Sequence, residues 1–240
     1  PLVLAFVPDK RKEQAETAAE PSAESETAVR EPGGYTPRKG FRSRNFWLIF
    51  LAALISMLTG LALMLNLVPV LTFTGISRGD AVMIAGVMGL ASLFGRLIGG
   101  WLMDNFEVRR LAMVASIASL LFPATLLIAP GVVWAAMGAL IVHGVLGGLK
   151  MSAIVYLTST HMGARSFGLF YGTISTTTTV AMGVGPLIAN YIYDLTESYS
   201  PTIWAAIPGF LISAACFAAL GPAPDFNRPL RERDQESAEE

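Results

Sequence analysis

From residue 111 to residue 149 the chain reads LAMVASIASLLFPATLLIAPGVVWAAMGALIVHGVLGGL, without a single charged side chain. A helix needs about 20 predominantly apolar residues to cross a bilayer. This stretch is long enough for two crossings if the chain turns inside it, and Pro130-Gly131 is typical of such a turn. The residues therefore predict two antiparallel membrane helices.

The same pattern recurs along the chain. Charged residues make up only 15% of it, whereas a soluble domain carries about 25%. Further uncharged runs cover 45–77, 166–193 and 198–224. A buried core helix explains one such run but not six, because a soluble core of this size cannot enclose so many apolar helices. We predict an all-α membrane protein with six transmembrane helices, at about 46–68, 80–103, 110–129, 132–158, 167–190 and 202–221.

The composition divides the chain into four segments. Residues 1–7 are apolar and precede a basic cluster, as at the end of a preceding transmembrane helix, so we expect a fragment that lacks an N-terminal half. A short disordered start is the alternative. Residues 8–44 hold few large apolar side chains and predict a disordered cytoplasmic linker. A six-helix transmembrane domain at 45–222 and a cytoplasmic tail at 223–240 follow.

The basic residues predict the orientation. Of the 17 Lys and Arg residues, fourteen lie on the side of the linker, and only Arg78 lies on the other. Because Lys and Arg are enriched in cytoplasmic loops, we expect an integral protein of the plasma (inner) membrane with both ends cytoplasmic.

Several classes of function are not indicated. A lone cysteine, Cys216, excludes a disulfide framework and argues against a metal cluster. The sequence contains no HExxH, GxSxG or phosphate-loop signature. We expect no enzyme, no metal, no cofactor and no nucleic-acid partner, and the lipid bilayer as the main surrounding.

Two cations interrupt the apolar helices. Arg96 lies about 10 Å from the end of the second helix, and Lys150 about 12 Å from the end of the fourth. A charge inside a bilayer is costly and indicates a functional site, and the fork of an arginine suits a carboxylate. We interpret both as substrate-binding residues for an anion, facing one cavity. Snorkelling to the interface and an ion pair with a carboxylate outside this chain are the alternatives.

Uncharged polar residues complete the predicted site. His143 precedes Lys150 by seven residues and lies on nearly the same helical face. It is a candidate proton relay, or else a packing histidine. Asn66 and one member of the run Ser175–Thr179, for which we choose Thr177, are further substrate-binding candidates. Hydroxyl groups in helices also bond to their own backbone.

Small residues predict where helices meet. Three glycine pairs are spaced by four residues and favour close packing: Gly95 and Gly99, Gly144 and Gly148, Gly168 and Gly172. Gly185-Pro186 interrupts the backbone hydrogen bonding of the fifth helix and predicts a kink or hinge.

The end of the second helix resembles a family signature. The residues Gly95-Arg-Leu-Ile-Gly-Gly-Trp-Leu-Met-Asp104, followed by Arg109-Arg110, are similar to the cytoplasmic loop of the major facilitator superfamily, where Gly, Asp and a basic pair occur. Gly100 and Asp104 match. Asn105 stands where a basic residue is usual, and the basic pair comes one residue late. The resemblance implies that Gly100, Asp104, Arg109 and Arg110 form a gating loop.

Other stretches resemble the monocarboxylate and oxalate–formate type of that superfamily. They are residues 163–172, Gly183-Val-Gly-Pro186, Tyr193-Asp194 and Tyr199. The resemblance implies helices seven to twelve of a twelve-helix fold, a missing N-terminal six-helix half and alternating access. It further implies a secondary transporter of a small organic anion, such as a monocarboxylate, by proton symport or anion exchange. A non-transporting sensor or assembly subunit with the same fold is the alternative, and a six-helix dimer is a variant of the first reading.

Overall fold

Nine helices make up the regular structure of residues 33–224 and Phe226, which this computed structural model describes. The helices are α1 Pro37–Arg42, α2 Arg44–Met64, α3 Leu67–Phe73, α4 Arg78–Asn105, α5 Val108–Ala118, α6 Leu121–Ile128, α7 Val133–Met162, α8 Phe167–Thr196 and α9 Ser200–Ala218. Since α5 and α6 follow one another along one rod, six long rods run back and forth.

Five rods are long and apolar enough to cross a membrane: α2, α4, the pair α5–α6, α7 and α9. The sixth rod, α8, has 30 residues but carries the polar run Ser175–Thr179 and is not among them. The predicted all-α membrane fold is confirmed, and the chain is an integral membrane protein.

The two ends of this bundle differ in charge. We call one the basic end: there α2, α5 and α8 begin and α4, α7 and α9 end. Its described cations are Arg38, Lys39, Arg42, Arg44, Arg109, Arg110 and Arg165. The other end, which we call the Tyr199 end, carries Arg78.

Two rods are broken four residues before a proline. The first gives way from α2 to α3 at Leu65, before Pro69, and the third from α5 to α6 at Ser119, before Pro123. A proline ring collides with the carbonyl four residues earlier and offers it no N–H. The first predicted helix, 46–68, is therefore shorter, and helix α3 occupies part of the loop expected after it.

Serine caps fix where two rods begin. The Ser43 hydroxyl accepts a hydrogen bond from the N–H of Phe46 at 3.2 Å, so α2 begins at Arg44. The Ser77 hydroxyl accepts from the N–H of Asp80 at 3.2 Å and donates to its carboxylate at 2.7 Å, and α4 begins at Arg78. Such caps satisfy backbone donors that the helix itself leaves unpaired.

Helices α4 and α7 pack backbone to backbone along their glycines, and we call this contact the glycine seam. A Cβ atom added at Gly95 would overlap the backbone of Val145, and one added at Gly148 would overlap the carbonyl oxygen of Ser92. At Gly144 it would lie 3.0 Å from the carbonyl oxygen of Met88. The close approach predicted for these glycines is confirmed.

For Gly168 and Gly172 the described part of the chain provides no such contact. A Cβ atom added at either residue would meet nothing within 4 Å in the described part of the chain. These glycines lie on an open groove of α8, lined also by Thr173, Thr176 and Thr177. The glycine spacing predicts a smooth helix face, but close packing also requires a neighbouring helix on that face.

The apolar core forms two layers. One lies toward the basic end and includes Phe46, Leu157 and Phe217; the other lies toward the Tyr199 end and includes Leu63, Ile84 and Phe122. Lys150, treated below, adjoins both layers, since it follows Leu149 of the first and lies against Phe210 of the second.

The predicted linker 8–44 is ordered at its end, which corrects that part of the prediction. The N–H of Tyr35 donates to the carbonyl of Met162 at 3.0 Å, and the N–H of Ala164 donates to that of Gly33 at 2.9 Å. Backbone hydrogen bonds, which composition does not encode, order this segment, and α1 follows it. The interpretations of residues 1–7, 8–32 and most of 223–240 lie outside the described residues.

Candidate substrate cavity

A cavity of about 230 Å³ lies where α2, α4, α7 and α8 meet. Its wall includes Arg96, His143 and Lys150, the three chemically distinctive residues predicted from sequence, together with Ser56 and Ser92. Half of the ten methionines of the chain line it: Met57, Met64, Met88, Met151 and Met182. None of its described lining residues is Asp or Glu. The wall is therefore apolar and adaptable, with positive charge as its main polar feature.

Arg96 is the exposed cation of this cavity. It directly follows Gly95, which is buried in the glycine seam, and its own exposed side chain lines the cavity at the edge of that contact. Within the described residues it makes no ion pair or hydrogen bond. Its guanidinium donors are therefore available to a ligand.

Lys150 is enclosed, with 3% of its surface exposed. Its Nζ donates hydrogen bonds to the hydroxyls of Ser56 at 3.2 Å and Ser119 at 2.9 Å, and lies 4.9 Å from the centre of the Phe210 ring. No carboxylate pairs with it in the described part of the chain. Two hydroxyl dipoles and an aromatic face thus replace the counter-ion that a buried cation usually has.

The break between α5 and α6 supplies one of these partners. Ser119 caps the end of α5, and its hydroxyl donates to the carbonyl of Ala115 at 2.7 Å, which leaves its oxygen lone pairs directed to Lys150. Pro123 sets the position of this break. A proline thereby places a hydroxyl acceptor beside the buried lysine.

His143 lies between two aromatic rings of the layer toward the Tyr199 end. Its ring centre is 5.6 Å from that of Phe122 and 5.5 Å from that of Phe210, and 5% of its surface is exposed. Its Nδ1 is buried without a hydrogen-bond partner in the described part of the chain. Phe210 is thus shared by the predicted proton relay and the buried lysine.

Asn66 and Thr177 lie outside the cavity wall. The Asn66 amide donates to the carbonyl of Ala62 at 3.1 Å, beside the α2–α3 break. The Thr177 hydroxyl donates to the carbonyl of Thr173 at 2.9 Å and lies on the open groove of α8. Both side chains thus donate to a backbone carbonyl four residues earlier, as polar side chains in helices often do.

The predicted hinge at Gly185-Pro186 lies within α8, which continues through it. A Cβ atom added at Gly185 would lie 2.7 Å from the carbonyl oxygen of Leu58, so this glycine also lets α8 approach α2 closely. Motion at this point remains a prediction.

Of the four predicted gating residues, two form ion pairs and two do not form one with any described residue. Gly100 and Asp104 are exposed, and Asp104 has no partner among the described residues. Arg109 and Arg110 both pair with Glu107, at 2.9 Å and 2.6 Å. Arg109 also donates to the carbonyl of Leu220 at 2.6 Å and so ties the start of α5 to the end of α9.

An aromatic cluster lies at the Tyr199 end. The rings of Tyr193 and Tyr199 are stacked with centres 4.4 Å apart, and Phe73 packs edge-on to Tyr199 at 6.0 Å. Burial raises the pKa of the Tyr199 phenol, and the neighbouring Tyr193 and Asp194 raise it further. This phenol therefore stays protonated, and available as a donor, at ordinary pH.

Sequence reasoning missed the residues that hold Lys150. Ser56 and Phe210 lie in uncharged runs, where serine and phenylalanine are common and carry no signal of their own. Only Ser119 had an indirect signal, its position four residues before Pro123.

Comparison with known proteins agrees with this architecture. The sequence profile described as Major Facilitator Superfamily matches residues 2–166 and 49–238. No curated protein matches the chain.

Three solved structures share the fold. A variant of the E. coli fucose:proton symporter FucP aligns with a TM-score of 0.63 at 14% identity, covering 78% of this chain and 45% of that one. FucP in the outward conformation gives 0.64 at 13%, covering 88% and 51%. A structure from work on proton dependent oligopeptide transporters gives 0.63 at 14%, covering 81% and 46%.

The chain thus spans about half the length of these structures, which are 45%, 51% and 46% covered. At such identities the likeness concerns the fold alone. The profile match, which covers more than half of the chain, shows the family: this chain belongs to the Major Facilitator Superfamily.

Proposed function

We propose that this chain is half of a secondary active transporter that moves a small organic anion by alternating access. The observation that carries the proposal is the pair of intramembrane cations, Arg96 and Lys150, on the wall of one cavity that no described carboxylate lines. A polytopic protein keeps such charges in the membrane at a cost, and a ligand of opposite sign offsets that cost.

The arrangement favours direct binding by Arg96 rather than Lys150. Arg96 is exposed and without a described partner, and its planar fork matches a carboxylate with two parallel hydrogen bonds. Lys150 already donates to two serines and lies against Phe210. It contributes positive potential from its enclosed position in the wall, where low polarity weakens screening.

The rest of the wall favours a monocarboxylate with an apolar body. Five methionines face the ligand space, and flexible thioether side chains adapt to apolar groups of varied shape. Arg96 is the one exposed cation among the described lining residues, so a second carboxylate would meet the methionines without an exposed cation of its own. We therefore expect preference for monocarboxylates over dicarboxylates.

Proton symport and anion exchange are both compatible with the site. His143 is the group that favours symport, because its Nδ1 is buried without a hydrogen-bond partner among the described residues and its ring shares Phe210 with Lys150. The two modes are distinguished by the driving force for uptake. A pH gradient should drive uptake by proton symport, whereas substrate preloaded inside the vesicles should drive uptake by anion exchange.

Alternating access requires a second half that faces this cavity. Proteins of this architecture rock two bundles about a site at the bilayer midplane. We propose a further six-helix half as the partner, with Gly100, Asp104, Arg109 and Arg110 at the loop that closes the basic end. The excess of basic residues there supports a cytoplasmic location for both chain ends.

The test is uptake into proteoliposomes by the full-length protein that contains this chain, with a panel of mono- and dicarboxylates. Arg96→Gln is expected to lower monocarboxylate uptake about 10- to 100-fold, as for loss of a charge-assisted hydrogen-bond pair. Arg96→Lys should recover only part of it. Arg78→Gln is the matched control, since it removes the same side chain from the other end of the same helix.

Unchanged anion uptake in Arg96→Gln would refute the binding role. Absence of uptake for every substrate, in a protein that is correctly folded and inserted, would instead favour a non-transporting sensor or assembly subunit.

A further inference from the structure

The outer face of α1 carries a cluster of cations that the substrate cavity does not use. Arg38, Lys39 and Arg42 are exposed and, with Ser43, line a depression of about 300 Å³. Arg42 lies four residues after Arg38 and three after Lys39, and positions three and four apart lie on one side of a helix. No Asp or Glu occurs between Gly33 and Arg44, so α1 does not neutralise its own charge.

The inner face of α1 is fixed to the bundle. Gly40 is buried against the ring of Phe170, where an added Cβ atom would overlap the ring. Phe41 packs edge-on to Phe46 at 4.9 Å and to Phe170 at 5.3 Å. The backbone pairing of Gly33–Tyr35 with the loop between α7 and α8 holds the approach to α1. The cations are therefore presented in one orientation.

Trp47 indicates the level at which these cations lie. It stands in the first turn of the membrane-crossing helix α2, with 54% of its surface exposed, and its indole N–H donates to the carbonyl of Phe41 at 2.9 Å. Tryptophan side chains collect at the headgroup level of a bilayer. A direct hydrogen bond from such a side chain places α1 beside the lipid phosphates.

We propose that Arg38, Lys39, Arg42 and Ser43 bind the phosphate of an anionic phospholipid in the leaflet at the basic end. Charge complementarity selects the ligand, since guanidinium groups bind phosphate oxygens in pairs and the ammonium adds a point charge. The bilayer supplies that ligand at this depth. This inference does not depend on the proposed transport function.

The test uses the full chain purified in mild detergent and counts bound lipid by native mass spectrometry. Phosphatidylglycerol is titrated against phosphatidylcholine, and inorganic phosphate is added as a competitor. Each basic residue near an anionic surface contributes about a fivefold effect. Arg38→Gln with Arg42→Gln should therefore weaken phosphatidylglycerol binding about 25-fold and leave phosphatidylcholine binding unchanged.

Arg78→Gln is the control, because it removes the same type of side chain at the Tyr199 end, away from α1, and should keep phosphatidylglycerol binding. Gly40→Ala is the second variant. It keeps every charge but displaces α1 from Phe170, so binding should fall; it also carries the test if the double variant does not fold. Equal binding by the double variant and its control would overturn the proposal. Full displacement by millimolar inorganic phosphate would overturn the lipid assignment in favour of a free-anion site.

Discussion

Gly95 and Arg96 are neighbours in α4, yet they face two different surroundings. Gly95 lies in the glycine seam, where not even a methyl group fits beside Val145. Arg96 lies on the cavity side, exposed and without a described partner. The groove of α8 is likewise open: Gly168 and Gly172 have the spacing of seam glycines, but no described residue lies within 4 Å of a Cβ atom added at either. Glycines spaced by four residues give a helix a face on which another helix can pack closely. The tertiary fold determines whether a second helix lies on that face.

The seam itself should show the largest effect. Gly95→Ala forces α4 and α7 apart because the new methyl group overlaps the Val145 backbone, and we expect a loss of about 3 kcal/mol in the free energy of unfolding, at the upper end for overpacking. Reversible unfolding in mixed micelles, followed by far-UV circular dichroism, measures it. Gly100→Ala is the control, because the same methyl group meets open space on the same helix. Equal stability of the two variants would show that the seam is not closely packed.

The buried lysine should give the next largest effect. Ser119→Ala removes an acceptor from the Lys150 ammonium, and leaving a buried charge undersatisfied is expected to cost about 2 kcal/mol. The same change in a Lys150→Met background should cost close to nothing, because an apolar side chain asks for no acceptor. The four unfolding free energies form a double-mutant cycle. Additive costs would mean that Ser119 does not stabilise Lys150.

The open groove should give the smallest effect, with the opposite sign. Gly172→Ala adds a methyl group where nothing lies within 4 Å and reduces the freedom of the unfolded chain. We expect a gain of about 0.5–1 kcal/mol in the same unfolding measurement. Gly172→Ala should also lower uptake by the full-length protein if a second half packs into this groove. Stabilisation together with unchanged uptake would show that the groove stays open in the complete protein.

The general fold could be predicted because a bilayer imposes simple demands. An uncharged run such as 111–149 has few alternatives, and the predicted break at Pro130-Gly131 separates the rod α5–α6 from α7 in the structure. The breaks at Leu65 and Ser119 were not predicted. Proline alone does not decide between a break and a continuing helix, as Pro186 and Pro208 lie inside continuous helices.

The cavity could be predicted only through its charges. Arg96, His143 and Lys150 stand out against apolar surroundings, and the structure brings them to one wall. Asn66 and Thr177 were chosen on polarity alone, and their own backbone carbonyls satisfy them. Ser56, Ser119 and Phe210 come together from three separate rods, and such meetings depend on packing angles that no local pattern contains.

The hydrogen bond from Trp47 to α1 has a spectroscopic consequence. The chain contains four tryptophans, and in the described part of the chain Trp47 is the one that donates to a carbonyl of α1. With the other three replaced by phenylalanine, fluorescence would come from an indole held beside Phe41. Release of α1 would expose that indole N–H to water and move its emission to longer wavelength. The protein therefore contains its own optical reporter for the attachment of α1 to the bundle.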